Sequence, residues 1–220
     1  MTIKTVPIRD SLERGWGIFK NNVLFIVIVF VVASIVYAVA ERADEMAERF
    51  IWPGELLVTV GYLVAFAFIE LALISITLKL VDTGKAEVED AFSSFGVFFK
   101  FFITFLLYGA MVAIGTLLFV IPGIYLAIKF GFFGYFVVDE KLEPLDALRA
   151  SSRITDGVKL DLFMFYLLAA LLLICGLILL LVGVYIAWPV VRLAIANIYR
   201  NLRSQTPNAL PDLAAGATGA

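Results

Sequence analysis

Apolar runs of membrane-spanning length alternate along this chain with short charged segments, a pattern that predicts helices crossing a lipid bilayer. Crossing about 30 Å of hydrocarbon takes about 20 apolar residues in a helix. Val23–Ala40 is uncharged and gives a first span, and Leu56–Leu78, interrupted only by Glu70, gives a second. Val97–Val120, with Lys100 near its start, is a third. Ile124–Val138, containing Lys129, is a fourth and is expected to begin at Pro122, because proline is tolerated in a first helical turn. Leu162–Val191 is uncharged throughout and too long for one crossing. It divides near Val182-Gly183 into a fifth helix and a sixth that continues through Arg192 to about Tyr199. The external turns are then expected at Ile121–Gly123 and Val182–Gly183. Ala38-Val39-Ala40 has the form of a signal-peptidase site, but the apolar run before it is longer than a signal core, so the first helix is expected to be retained.

The polar segments sort by sign. Lys4, Arg9, Arg14 and Lys20 precede the first span, and Lys79, Lys85 and Lys100 fall in the second connection. Lys141, Arg149, Arg153 and Lys159 fall in the fourth, Arg192, Arg200 and Arg203 lie toward the end, and Lys129 belongs to the same side. Those are fifteen of the seventeen Lys and Arg residues; Arg42 and Arg49 alone lie opposite, among five acidic residues. Basic residues stay on the cytoplasmic side of a membrane, so both termini are expected in the cytoplasm.

The polar segments also repeat. Asp10-Ser11-Leu12, Asp90-Ala91-Phe92 and Asp146-Ala147-Leu148 each open an amphipathic stretch, with the acid near a helix start where the macrodipole favours it. The apolar stripes are Ile8, Leu12, Trp16 and Phe19 in the first and Val88, Phe92, Phe95, Phe99 and Phe102 in the second. In the third, Leu148, Ser151, Ile154 and Val158 lie opposite Asp146, Arg149, Arg153 and Asp156. Such helices are expected to lie in the headgroup region, apolar face down. Gly123-Ile124-Tyr125-Leu126-Ala127 matches Gly183-Val184-Tyr185-Ile186-Ala187, and Gly61-Tyr62-Leu63-Val64-Ala65 is a blurred third copy. The predicted architecture is therefore all-α: a polytopic membrane bundle of six transmembrane helices in three parallel repeats, each an interfacial helix plus a hairpin. Residues 1–203 form one membrane domain, with repeats at about 8–80, 86–140 and 144–203, and residues 204–220 form a disordered cytoplasmic tail. Gly109 and Ala113 have small-xxx-small spacing, and Gly115, Gly131, Gly134 and Gly176 are further points where helices could approach closely.

Composition agrees with the pattern: 62% of residues are apolar and only 16% charged, where soluble domains run nearer half and a quarter. There is no histidine, which removes imidazole ligands and the commonest general base. The one cysteine, Cys175, lies among leucines and reads as inert filler. No phosphate-cradling loop, nucleophile–base pair or paired-carboxylate site is present, and no basic stretch with interleaved aromatics points to nucleic acid. Asp139, Glu140 and Glu143-Pro144 read as a solvated loop and a helix start, with a surface cation site as the alternative. No catalytic residue, metal or cofactor is expected.

Glu70, Lys129 and Arg192 are the residues that need a reason, since ionised groups inside spans are costly. Each is on the second helix of its repeat and precedes a cytoplasmic charge (Lys79, Asp139, Arg200) by eight to ten residues. At about 1.5 Å per residue each then lies roughly 12–15 Å from the end, where all three could meet. An ion pair between Glu70 and either cation would hold helices in register; the two cations could instead snorkel to an interface. The functional alternative is a polar passage or an anionic-headgroup site.

Pro122-Gly123-Ile124-Tyr125, the cation at Lys129, Asp139, and Ala147-Leu148-Arg149-Ala150-Ser151 with Arg153 and Gly157 resemble a superfamily of prokaryotic membrane proteins. It comprises the YciC-like proteins and the membrane domain joined to some glycerophosphodiester phosphodiesterases. Lys129 stands where relatives often have arginine, keeping the charge without the planar fork. The resemblance implies a six-helix protein of the cytoplasmic membrane and supplies no reaction, since no phosphodiesterase domain is present. The expected function is a non-catalytic one, organising lipid or a membrane partner, with a second copy of the chain as a further candidate partner. The alternatives are a small-solute or lipid transporter built on Glu70, Lys129 and Arg192, and, last, a membrane-embedded enzyme.

Overall fold

The computed structural model describes residues 4–47, 54–178 and 182–209. Nine helices make up the described chain: α1 (Ile8–Asn21), α2 (Val23–Ala47), α3 (Gly54–Thr83), α4 (Phe98–Leu118), α5 (Val120–Phe130), α6 (Phe133–Asp139), α7 (Pro144–Thr155), α8 (Lys159–Ile178) and α9 (Val182–Ser204). Short 3₁₀ turns occupy Val88–Ala91, Phe95–Val97 and Pro207–Ala209, and no strand occurs among the described residues. Helix is the open form of secondary structure that satisfies every backbone group within lipid. Four segments are long and apolar enough to cross a membrane: Leu56–Thr83, Val88–Leu118, Val120–Asp139 and Lys159–Ile178. The pair α1 and α2, bent by 97° between Asn21 and Val23, makes a fifth when taken as one broken span. The protein is thus an all-helical, multi-pass membrane protein.

Local chemistry sets the corners. At the α1–α2 bend the Asn22 amide donates to Ile18 O and to Gly84 O, both at 3.0 Å, tying that corner to the end of α3. Gly84 and Gly157 close α3 and α7 with φ of +76° and +84°, conformations that cost a side chain strain. Pro144 begins α7 at a position where its missing N–H costs nothing, with Asp146 in the first turn and Arg153 in the last.

Both described ends of the chain lie together, since Thr5 N donates to Gln205 Oε1 at 3.0 Å and Gln205 Nε2 donates to Thr5 O at 3.1 Å. The buried core is concentrated at this terminal end: Ile26 and Phe30 of α2, Leu71, Ile76 and Leu80 of α3, Phe101 of α4, Leu162 and Phe165 of α8, and Leu193, Ile198 and Leu202 of α9. At the far end the same helices expose Val36, Val39, Leu57, Ile114, Leu117, Ile174 and Leu177. The helices pack most closely at this end, while apolar side chains are exposed along much of their length, Leu24, Phe99 and Leu160 included.

Several sequence expectations are corrected. The turn expected at Ile121–Gly123 is helical; the chain reverses at Phe119, the one extended residue between α4 and α5. Val182 and Gly183 open α9, and the connection before them lies outside the described residues. The fourth span is broken at Gly131-Phe132 into α5 and α6. The second amphipathic segment forms two 3₁₀ turns rather than an interfacial helix, and Val88, Phe92, Phe95 and Phe99 are exposed. Helix α1 is amphipathic, but its buried line is Ser11, Gly15 and Phe19, with Trp16 facing out. It runs antiparallel beside α9: Asn197 Nδ2 donates to Ser11 Oγ at 3.1 Å, and a Cβ on Gly15 would meet Val190 O at 2.9 Å. Helix α7 buries Leu148, Ser151 and Ile154 as its stripe predicts, yet against protein rather than headgroups. Gly109 and Ala113 are exposed, and nothing approaches Gly109 within 4 Å. Gly61 likewise meets nothing, so the blurred third copy lacks the close contact of the other two. Of the expected tail, Ser204 completes α9 and Pro207–Ala209 forms a turn with Ala209 buried; residues 210–220 lie outside the described chain.

Candidate functional site

Glu70 on α3 and Arg192 on α9 meet as a two-pronged ion pair, Arg192 Nη1 to Glu70 Oε2 at 2.7 Å and Nη2 to Oε1 at 2.6 Å. A guanidinium matches a carboxylate in this geometry, and charge-assisted bonds of this kind are strong where water is scarce. Tyr37 of α2 adds a third donor, its hydroxyl lying 3.1 Å from Glu70 Oε1. The guanidinium carbon also sits 5.7 Å from the centre of the Trp188 ring, one turn back on α9. Helices α2, α3 and α9 are thereby joined through one carboxylate.

Beside this pair is a cavity of about 280 Å³, lined by Glu70, Arg192, the aromatic rings of Phe66, Phe101, Phe105 and Phe133, and three tyrosines, Tyr108, Tyr135 and Tyr166. The break between α5 and α6 forms part of its wall, through Gly131 and Gly134. Breaking a helix frees backbone groups, and α7 takes them up. Ser151 Oγ accepts from Phe132 N and donates to Lys129 O, both at 3.1 Å, and Thr155 Oγ1 lies 3.1 Å from the same carbonyl. The buried hydroxyls of α7 therefore complete the fourth crossing's backbone, which is why Ser151 belongs to the apolar stripe.

Lys129 does not join Glu70 and Arg192. Its ammonium lies over the rings of Phe130 and Tyr125, 5.1 and 5.9 Å from their centres, and among the described residues no carboxylate pairs with it. The equal spacing that suggested a three-charge centre places two of the charges together and the third on another face.

A second polar layer joins the helices at the terminal end. Arg200 binds Asp82 of α3 through Nε at 2.9 Å and Asp139 of α6 through Nη1 at 2.5 Å. Tyr199 donates to the same Asp139 carboxylate at 2.9 Å, and Arg203 Nε reaches Glu140 at 3.0 Å. Asp139 and Glu140, expected in a solvated loop, are ion-pair partners of α9. A signal existed: Arg200 follows Arg192 by two helical turns, so both cations face one side of α9. Asp82 carried no such mark. Outside the spans, the Asp156 carboxyl lies below the ordinary carboxylate range because Lys159 donates to it. No group of three or more acidic or cysteine side chains suited to a metal occurs among the described residues. Cys175 is exposed.

The paired charges can fix helix positions, while the Tyr108 hydroxyl on the cavity wall already donates to Ala127 O at 3.4 Å. No nucleophile with a base beside it is present among the described residues of this wall. In comparisons with protein-family models, curated proteins and solved structures, nothing matches this chain.

Proposed function

We propose that this protein crosses the membrane six times as three hairpins, with both termini in the cytoplasm of a prokaryotic cell, and that it holds membrane lipid in the clefts between the hairpins without catalysing a reaction. The supporting observation is a set of apolar clefts between helices, opening among exposed apolar side chains. Three apolar clefts lie between the elements. One of about 340 Å³ is bordered by Phe30, Tyr37, Val184 and Trp188. One of about 280 Å³ is bordered by Val32, Val36, Phe68 and Phe92. One of about 420 Å³ is bordered by Ile124, Ile128, Phe163 and Leu167. Exposed residues such as Val32, Trp188, Ile124 and Leu167 form their rims, so the clefts open to the lipid side. Acyl chains fill such grooves, and filling them restores the dispersion contacts that the splayed helices lack.

Helix α9 is the sixth crossing in this reading. It is less apolar than the others because Arg192, Asn197 and Arg200 face protein partners rather than lipid. The sorting of cations supports the orientation, and the resemblance of Pro122–Gly157 to the YciC-like superfamily supports the six-helix architecture. Native mass spectrometry from mild detergent tests the reading: lipid should remain bound, and Ala170→Phe, which fills the α5–α8 cleft, should reduce the number retained. Wild-type protein emerging free of lipid would contradict it.

The cavity beside Glu70 and Arg192 favours a second reading, a transporter of small solute or lipid. In liposomes, solute flux or lipid scrambling abolished by Glu70→Ala or Arg192→Ala would establish that reading over the first.

A further inference from the structure

Lys129, set apart from the central ion pair, has a neighbour of the same sign. Lys159, the first residue of α8, places its ammonium 5.5 Å from the centre of the Tyr125 ring, the ring that Lys129 also faces at 5.9 Å. Two cations from different helices thus converge on one half-exposed tyrosine. The acid paired with Lys159 is Asp156, 2.7 Å away, and its side chain is 77% exposed, turned to the surface. Lys4 adds a third cation to this region: it donates to Arg153 O at 2.7 Å and lies within electrostatic reach of both Asp156 and Lys159. Lys4, Lys129 and Lys159 thus give this region more positive than negative charge.

The 420 Å³ cleft begins beside these lysines. On α8 its lining residues Phe163, Tyr166, Leu167 and Ala170 follow Lys159 at helical spacing, so one face runs from the cation into the apolar wall. On α5 the lining residues Ile124, Ala127 and Ile128 adjoin the stripe that bears Tyr125 and Lys129. An elongated apolar groove capped by lysines matches a ligand with an anionic head and a hydrocarbon tail. A free phosphate would have no use for the groove, and an uncharged lipid none for the cations.

We propose that Lys129, Lys159 and Tyr125 bind the phosphate-bearing headgroup of an anionic phospholipid, with one acyl chain lying in the α5–α8 cleft. Basic pockets between transmembrane helices attract such headgroups. The proposal rests on the reading that the clefts hold lipid, and names the lipid class and the site.

The test uses the full-length protein in mixed micelles of phosphatidylglycerol and phosphatidylcholine, with retained lipids counted by native mass spectrometry. Wild type should prefer phosphatidylglycerol, and the preference should fall as salt rises. Lys129→Gln and Lys159→Gln should each reduce it by roughly fivefold, and the double variant should abolish it while the total lipid count stays constant. Lys85→Gln, remote on the α3 connection, should leave it unchanged. A salt-independent preference in wild type, or a double variant that keeps its preference, would overturn the assignment. So would full suppression by inorganic phosphate at equal concentration, since the acyl chain would then contribute nothing. Loss of all lipid from wild type would instead overturn the broader reading. The salt series on wild type decides the matter even if a variant fails to fold.

Discussion

At the scale of single residues, the energetics turn on Glu70 and Arg192. Each is mostly buried, with side chains 15% and 19% exposed, and each would be an uncompensated charge without the other. Removing one partner of such a pair costs about 3–5 kcal/mol because the survivor remains in a poor solvent for ions. Glu70→Gln should therefore lower the melting temperature in detergent far more than Glu89→Gln, on the exposed Val88–Ala91 turn, does. Arg192→Lys should fall between, keeping the charge but losing the fork. Equal melting temperatures for Glu70→Gln and Glu89→Gln would mean that water reaches the pair. That both residues needed partners was legible in the sequence, since each stands alone in an apolar run. Which cation Glu70 takes was not, because helical spacing sets the depth of a residue and not the face it presents to helices far away in sequence. Lys129 lies on another face, over Phe130 and Tyr125.

At the scale of elements, two hairpins share one device. Gly115 and Gly123 bring α4 against α5: a Cβ on Gly123 would lie 2.9 Å from Thr116 Cα. Gly176 and Gly183 do the same for α8 and α9, where a Cβ on Gly183 would lie 2.7 Å from Gly176 Cα. Backbone cannot yield as a flexible side chain can, so Gly123→Ala and Gly183→Ala should each destabilise by about 1–3 kcal/mol. Gly109→Ala, where nothing lies within 4 Å, should be neutral in the same thermal assay. Loss of stability at Gly109 equal to that at Gly183 would refute this division of roles. The matching Gly-x-Tyr-x-Ala segments marked both hairpins in the sequence, and the apolar runs marked the helices. The reversal at Phe119 and the break at Gly131-Phe132 were hidden, because each interrupts an apolar run without a polar residue to announce it. Ser151 and Thr155, on a different helix, satisfy the groups freed at the break.

At the scale of the whole molecule, the sorting of charge and the packing agree. The end at which Thr5 and Gln205 meet holds the ion-paired layer of Arg200, Arg203, Asp82, Asp139 and Glu140, together with most of the buried core. The opposite end exposes apolar side chains suited to lipid. All-helical, membrane-spanning character was legible from composition and run length alone. The concentration of the core at one end was not, since hydropathy is the same for a leucine facing lipid and one facing a neighbouring helix. The central claim is that three hairpins enter from one face and turn at the other. Its most direct test is labelling with a membrane-impermeant maleimide in a Cys175→Ser background, using Arg42→Cys, Ile121→Cys and Arg149→Cys in oriented vesicles. Arg42→Cys and Ile121→Cys should label only from outside the cell membrane, and Arg149→Cys only from the cytoplasmic side. Labelling of Arg149→Cys from the same side as either of the others would contradict the account.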